Sequence, residues 1–192
     1  MSIQKGHMKS KTLVMLLCAC CLLSCNTTKF VPQGQLLLND VKVKVEDNKN
    51  IPPSDLMKYV QQKPNTEILG FWKLQLDIYN TASEDTTKWT SKNARKIGEP
   101  PVIFSSELTD ASQAQLQRAM QNKGYFNAEI DTTVAVKKRK INLVYHVTAN
   151  EPYMIGQYNV ELEHNELAAI ANNQRRLITG GSQFDAEVLN QE

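Results

Sequence analysis

Between Asp110 and Thr148 the hydrophobic period changes once, from that of a helix to that of a strand, and a single glycine marks the change. "DASQAQLQRAMQNKG" puts Leu116, Ala119 and Met120 on one helical face, with Asp110 or Thr109 as the N-cap and Gly124 at the C′ position. Glycine is favoured there because the chain leaves the helix through positive φ. "FNAEIDTTVAV" then alternates, with Phe126, Ala128, Ile130, Thr132, Val134 and Val136 on one face and Asn127, Glu129, Asp131 and Thr133 on the other. "KKRK" (137–140) makes the turn, and "INLVYHVT" returns with Ile141, Leu143, Tyr145 and Val147 inward. The stretch is a β-hairpin docked on a helix, which fixes the class as α+β.

Upstream, Val41, Val43 and Val45 oppose Lys42, Lys44 and Glu46, the pattern of a half-buried strand. Ser54 is placed to cap a short helix, "DLMKYVQQ", whose Leu56, Tyr59 and Val60 fall on one side. Residues 66–80, "TEILGFWKLQLDIYN", fit either period; their length favours a helix, against Gly70. Residues 81–96 read as a polar loop and "IGEPPVIFSS" as an extended approach to the next helix. Within 66–80, "FWKLQLDIY" reads as core or as an exposed partner patch. Downstream, "YMIGQYNVELEH" restarts the strand pattern, "NELAAIANNQRRL" reads as helix or loop, and a helix opens at Asp185. The chain stops inside that helix, so a fragment of a longer protein is expected.

All 4 cysteines lie in "CACCLLSC" (18–25), inside or just after the apolar run Leu13–Leu23. A zinc site needs ligands that converge from separate turns, and a disulfide framework needs partners spread along the chain. Neither is available, because no cysteine follows Cys25. Lys5, Lys9 and Lys11 followed by "LVMLLCACCLL" form instead the charged and apolar regions of a signal peptide, too short for a membrane-spanning helix. The run closes in "LLSC", which resembles a bacterial lipobox, with cleavage between Ser24 and Cys25 and a lipid on the Cys25 thiol. An ordinary cleaved signal is the other reading. The signal takes three of the 22 basic residues and none of the 20 acidic ones, leaving the mature chain at a net charge of −1. Nucleic-acid binding is therefore not indicated.

Catalytic motifs are absent: there is no G-x-S-x-G, no Walker glycine loop, no H-E-x-x-H and no nucleophilic cysteine after maturation. Glu129/Asp131 and Glu161/Glu163 sit at i, i+2 on strand faces, which suits solvation. His146 and His164 have no second ligand at metal spacing and read as surface residues. "KKRK" reads either as a solvated turn or as a contact for anionic headgroups.

The order strand, helix, insertion, helix, Gly124-Tyr125-Phe126, hairpin 126–148, then Tyr153 to Val160 resembles the β-α-α-β-β POTRA domain of the BamA/TamA outer-membrane assembly superfamily. With "GEPPVIFS" (98–105) and the lipobox it is most similar to the lipid-anchored, TamA-like branch. The resemblance implies a three-stranded mixed sheet with two helices, followed by an incomplete second unit. The expected boundaries are a signal peptide at 1–24, a tether at 25–35, an enlarged POTRA-like domain at 36–150 with an insertion at about 64–105, and a truncated second domain at 151–192. The barrel of the family is absent from this chain. The resemblance further implies a non-enzymatic periplasmic module at the outer membrane of a Gram-negative bacterium, with no metal and no cofactor beyond the covalent lipid on Cys25. Its partners would be unfolded barrel precursors or assembly-complex subunits. The β-α-α-β-β path makes the first and third strands parallel and leaves 126–136 at an edge, where an extended client can add as a further strand. The outward row Asn127, Glu129, Asp131 and Thr133 marks that edge, as a docking site or as solvation that blocks pairing. A stand-alone α+β lipoprotein that scaffolds a complex or binds a ligand is the alternative, and a hydrolase of unseen motif a third.

Overall fold

The computed structural model describes residues 27–157 and 177–191. The signal segment with Ser24 and Cys25, and residues 158–176 of the expected strand (153–164) and of the helix or loop (165–177), with His164, lie outside these residues; at 153–157 only an isolated bridge from Met154 to Gln183 forms. The described chain divides into two units: Gly34–Pro64 with the described residues from Val102 onward, and Asn65–Pro101 with the described residues up to Gln33.

The first unit is built on a sheet of three strands, β1 (Leu37–Val45), β2 (Glu129–Lys137) and β3 (Lys140–Thr148), in the order β1-β3-β2. β1 runs parallel to β3 and β2 antiparallel to it, so β2 is an edge strand as the path requires. The inward row of β3, Ile141, Leu143, Tyr145 and Val147, is buried, as its alternation predicts. Leu37 and Leu38 are both buried because a register shift between Leu38 and Asp40 breaks the alternation of β1. The expected two helices are present in this unit as α1 (Pro53–Met57) and α4 (Ser106–Asn122). Leu56, Leu116 and Met120 from these helices, with Ile51, Val60 and Tyr125, close the core over the sheet.

The helix ends differ from the sequence reading. α1 is capped by Pro52 rather than Ser54, its first turn set by proline. α4 begins a full turn earlier than expected, because Ser105 and not Asp110 or Thr109 caps it: its hydroxyl accepts from Leu108 N–H at 3.2 Å. Ser105 is held in turn by the buried Gln62, whose amide donates to Ser105 O and Thr109 Oγ1, both at 2.8 Å. Thr109 is thus an interior residue that bonds back to its own helix, at 2.9 Å to Ser105 O. At the other end the expected glycine is in place: Gly124 has φ +87°, and Tyr125 N–H donates to Met120 O at 2.9 Å in a Schellman closure.

β2 starts at Glu129, so Phe126 precedes the strand and is exposed instead of inward. Val134 and Val136, placed inward by alternation, are also exposed, while their cross-strand partners Leu143 and Ile141 are buried. After β3, Tyr153 N–H donates to Gly124 O at 2.8 Å and Phe184 N–H to Tyr153 O at 2.9 Å. Asp185 caps the short helix α5 (Ala186–Leu189), as expected from its position.

The second unit overturns two expectations. Residues 66–80 are not one helix: a tight turn bridges Ile68 to Trp72, and α2 runs only Leu74–Thr81. The stretch read as a polar loop contains α3 (Trp89–Ile97), whose buried residue is Ser91. Tyr79 of α2 meets Phe30 edge-on at 5.4 Å, and Lys29 Nζ donates to the Ala82 carbonyl at 2.6 Å. Residues 27–33 are therefore part of this unit.

Candidate functional site

The outer edge of β2 is the first candidate. Ile130 O accepts from Gln113 Nε2 at 2.6 Å, and Ala128 O accepts from Gln117 Nε2 at 2.8 Å. Gln113 and Gln117 are one helical turn apart on α4, so both reach the same strand. Glu46 N–H donates to Val147 O, which turns the odd positions of β3 towards β1. The even positions of β3 then serve the odd positions of β2, and the even positions of β2 direct N–H and C=O outward. α4 thus seals the outward carbonyls at 128 and 130, while Thr132, Val134 and Val136 follow on the same edge beyond that seal.

The four residues singled out in sequence, Asn127, Glu129, Asp131 and Thr133, are all exposed. They occupy the outer face of the sheet, at right angles to the edge. Thr133 Oγ1 lies 3.1 Å from His146 Nε2, and His146 Nδ1 lies 2.6 Å from Glu46 Oε1. This carboxylate–imidazole–hydroxyl chain links β2 and β3 to the residue that follows β1. It has the connectivity of an acid–base–nucleophile set, but it is exposed and borders neither of the two clefts described below.

The turn that carries Gly124 joins the aromatics that the sequence separates. Phe126 meets Tyr153 at 5.2 Å and Phe184 at 5.3 Å between ring centroids. A methyl group on Gly124 would come within 2.5 Å of Phe184 O, so both its φ and this close approach exclude a side chain. Beside it a cleft of about 240 Å³ is lined by Ile51, Asp55, Lys123, Tyr125, Gln183 and Asp185, and a second of about 120 Å³ by Tyr59, Asn122, Lys123 and Glu187 among others. Both are smaller than the roughly 300 Å³ at which small-molecule pockets begin.

Two titratable groups of the sheet unit are perturbed. Burial opposes ionisation of Asp47, but the Ala149 and Asn150 N–H groups, each 2.8 Å away, outweigh it and hold the carboxyl below its usual value. They tie the turn after β1 to the turn after β3. Burial pushes the Tyr145 phenol up, against the hydroxyls of Ser112 and Thr109. Both of those hydroxyls donate to carbonyls of their own helix, Ser112 to Leu108 O at 2.5 Å.

The second candidate is the Ile68–Trp72 turn. Leu69 sits at φ +57° and Gly70 at φ +76°. A leucine held there costs about 1–2 kcal/mol, yet Leu69 is 80% exposed and Phe71 76%. Its base is pinned by Ile68 N–H to Trp72 O at 2.8 Å, and Lys73 pairs with Glu67 at 3.5 Å. α3 exposes Trp89 and Ile97 in the same unit. The stretch "FWKLQLDIY" divides: Leu76 is core, and Phe71 and Trp72 are exposed.

Among the described residues, no three of His, Cys, Asp and Glu converge as cation ligands. No described helix is long and apolar enough to cross a membrane. Sequence reasoning missed Gln113 and Gln117, for which i, i+4 spacing beside an edge strand was the available signal. It also missed α3, whose short pattern buries little that is apolar.

The family model of POTRA, described as surface antigen variable number repeat, matches residues 41–150, from within β1 to just past the end of β3. A crystal structure of Haemophilus influenzae BamA POTRA3-5 aligns over 84% of this chain and 85% of that one, at 9% identity and a TM-score of 0.30. A score of that size carries no structural argument. No curated protein matches.

Proposed function

Since the chain belongs to the POTRA family, we propose that it is the periplasmic interaction module of an outer-membrane protein assembly factor. It is anchored by a lipid on Cys25, and it receives extended segments of barrel precursors or partner subunits along β2. The anchor rests on the "LLSC" junction behind a charged and apolar leader. The observation that carries the docking role is the half-sealed edge: Gln113 and Gln117 hold the carbonyls of Ile130 and Ala128, and the edge beyond them is not held by these glutamines.

An incoming strand pairs with the outward groups at Thr132, Val134 and Val136, and the exposed Val134 and Val136 side chains supply apolar contact beside the new ladder. Thr133 is the member of the outward row in this half of the strand. The glutamines fix where pairing stops and limit edge-to-edge association of the free protein.

Proline tests this reading. Val134→Pro removes an outward N–H and spares the β2–β3 ladder. It should abolish binding of a peptide of alternating barrel-strand sequence while the melting temperature falls by only a few degrees. Binding that survives Val134→Pro at wild-type affinity rules out augmentation at this edge.

A further inference from the structure

We propose that the Asn65–Pro101 unit is a membrane-contacting foot, which inserts the Leu69–Phe71 turn into the interfacial layer of an anionic bilayer and lays α3 against its headgroups. The proposal rests on the lipid-anchor reading for its geometry, and its test separates the two.

Three observations carry it. The first is composition of the exposed surface. Leu69, Phe71, Trp72, Trp89 and Ile97 are all exposed, at 46–80%, on a unit of a few dozen residues. Leucine and aromatic side chains of this kind partition at the boundary of headgroups and acyl chains. The turn is tied at its base and presents Leu69 in a backbone conformation that glycine or asparagine would adopt more easily, with the exposed Phe71 two residues on. The cost falls on a residue that adds nothing to the core.

The second is charge. α3 carries Lys92, Arg95 and Lys96 and no acidic residue. Arg95 is turned inward, over the Phe30 ring at 4.9 Å. Lys92 and Lys96 are exposed one turn apart, on the stripe that starts at Lys88 beside the exposed Trp89. Lysines interleaved with tryptophan and isoleucine suit a phosphate-bearing surface, because the aliphatic stems lie along the apolar layer and the ammonium groups reach the phosphates.

The third is the length of chain outside the described residues. Lys29 and Phe30 are fixed within this unit by the carbonyls of Asn80 and Ala82 and by the Tyr79 ring. Lys29 is four residues from Cys25, a span of at most about 14 Å. A lipid on Cys25 holds this unit within the reach of the bilayer surface.

The test uses the two tryptophans of the chain, Trp72 and Trp89, both of which belong to the proposed contact. The acylated protein and the unacylated mature chain from Asn26 are each mixed with vesicles containing phosphatidylglycerol and brominated phosphatidylcholine. Quenching of both tryptophans is expected, resolved by Trp72→Phe and Trp89→Phe. In the unacylated chain, Leu69→Ser with Phe71→Ser should lower partitioning about tenfold or more. Lys92→Glu with Lys96→Glu should weaken it chiefly at low salt. Palmitate labelling of wild type and Cys25→Ala reports separately on the anchor. Wild type that takes no label, or label that survives in Cys25→Ala, with quenching retained in the unacylated chain overturns the anchor and leaves the foot standing. Absence of quenching in both forms overturns the foot, as does tryptophan shielding that arises only on adding a barrel-strand peptide, which assigns the surface to a protein.

Discussion

The two units of this chain treat apolar side chains in opposite ways. In the sheet unit, alternation along β3 and the heptad-like face of α4 bury Leu116, Met120, Leu143 and Tyr145 completely. In the Asn65–Pro101 unit, Leu76 is buried to the same degree, but the largest side chains, Phe71 and both tryptophans, face outward. The sheet unit uses its apolar residues to hold a strand edge in place. The other unit uses them as surface. The difference teaches that hydrophobicity identifies a core only where its period matches an element that has something to pack against. The same rule applies inside the sheet unit: Val134 and Val136 keep the period of β2 but run past the cover that ends near Ile130.

The largest expected effect breaks that comparison within one pair of cross-strand partners. Leu143→Ala should destabilise the protein by about 2–5 kcal/mol, while Val134→Ala, directly opposite, should change stability by about 0.5 kcal/mol or less. Denaturant midpoints of the two variants decide it, and similar costs would place Val134 in the core.

A smaller effect of opposite sign sharpens the contrast between the units. Leu69→Asn suits the positive φ of its position and should raise stability by about 1 kcal/mol, while it lowers partitioning to anionic vesicles. Stability that falls instead would show Leu69 contributing to packing.

The smallest effect concerns the turn at Asp47. Its folded carboxyl titrates below its unfolded value, so the stability it supplies is present above the unfolded pKa and is lost as pH falls through the folded one. Acid unfolding curves of wild type and Asp47→Asn should therefore differ at neutral pH and converge below about pH 4. The group is exposed, and the difference is small.

Much of the sheet unit was legible because its elements are long and periodic. The helix, Gly124, the hairpin and the edge position of β2 all follow from one change of period and one glycine. The start of α4 was not, since Asp110 and Thr109 are good cap types and only the distant Gln62 reveals that Ser105 fills the role. The seal on β2 was missed for a related reason: glutamine at i, i+4 is an ordinary solvent-facing pattern until a strand carbonyl lies beside it. The Ile68–Trp72 turn hid in a stretch that satisfies both periods, where Leu69 adopts a conformation its residue type disfavours.

The β2 edge is sealed by α4 at Ala128 and Ile130 and is not held by Gln113 and Gln117 beyond them, and backbone amide exchange along β2 measures this directly. The outward N–H groups of Thr132, Val134 and Val136 should exchange fast in the free protein and become protected when a barrel-strand peptide is added. Gln113→Ala with Gln117→Ala should extend the protected stretch towards Ile130. Amides of Thr132, Val134 and Val136 that are protected in the free protein, or that stay unprotected with saturating peptide, would contradict it.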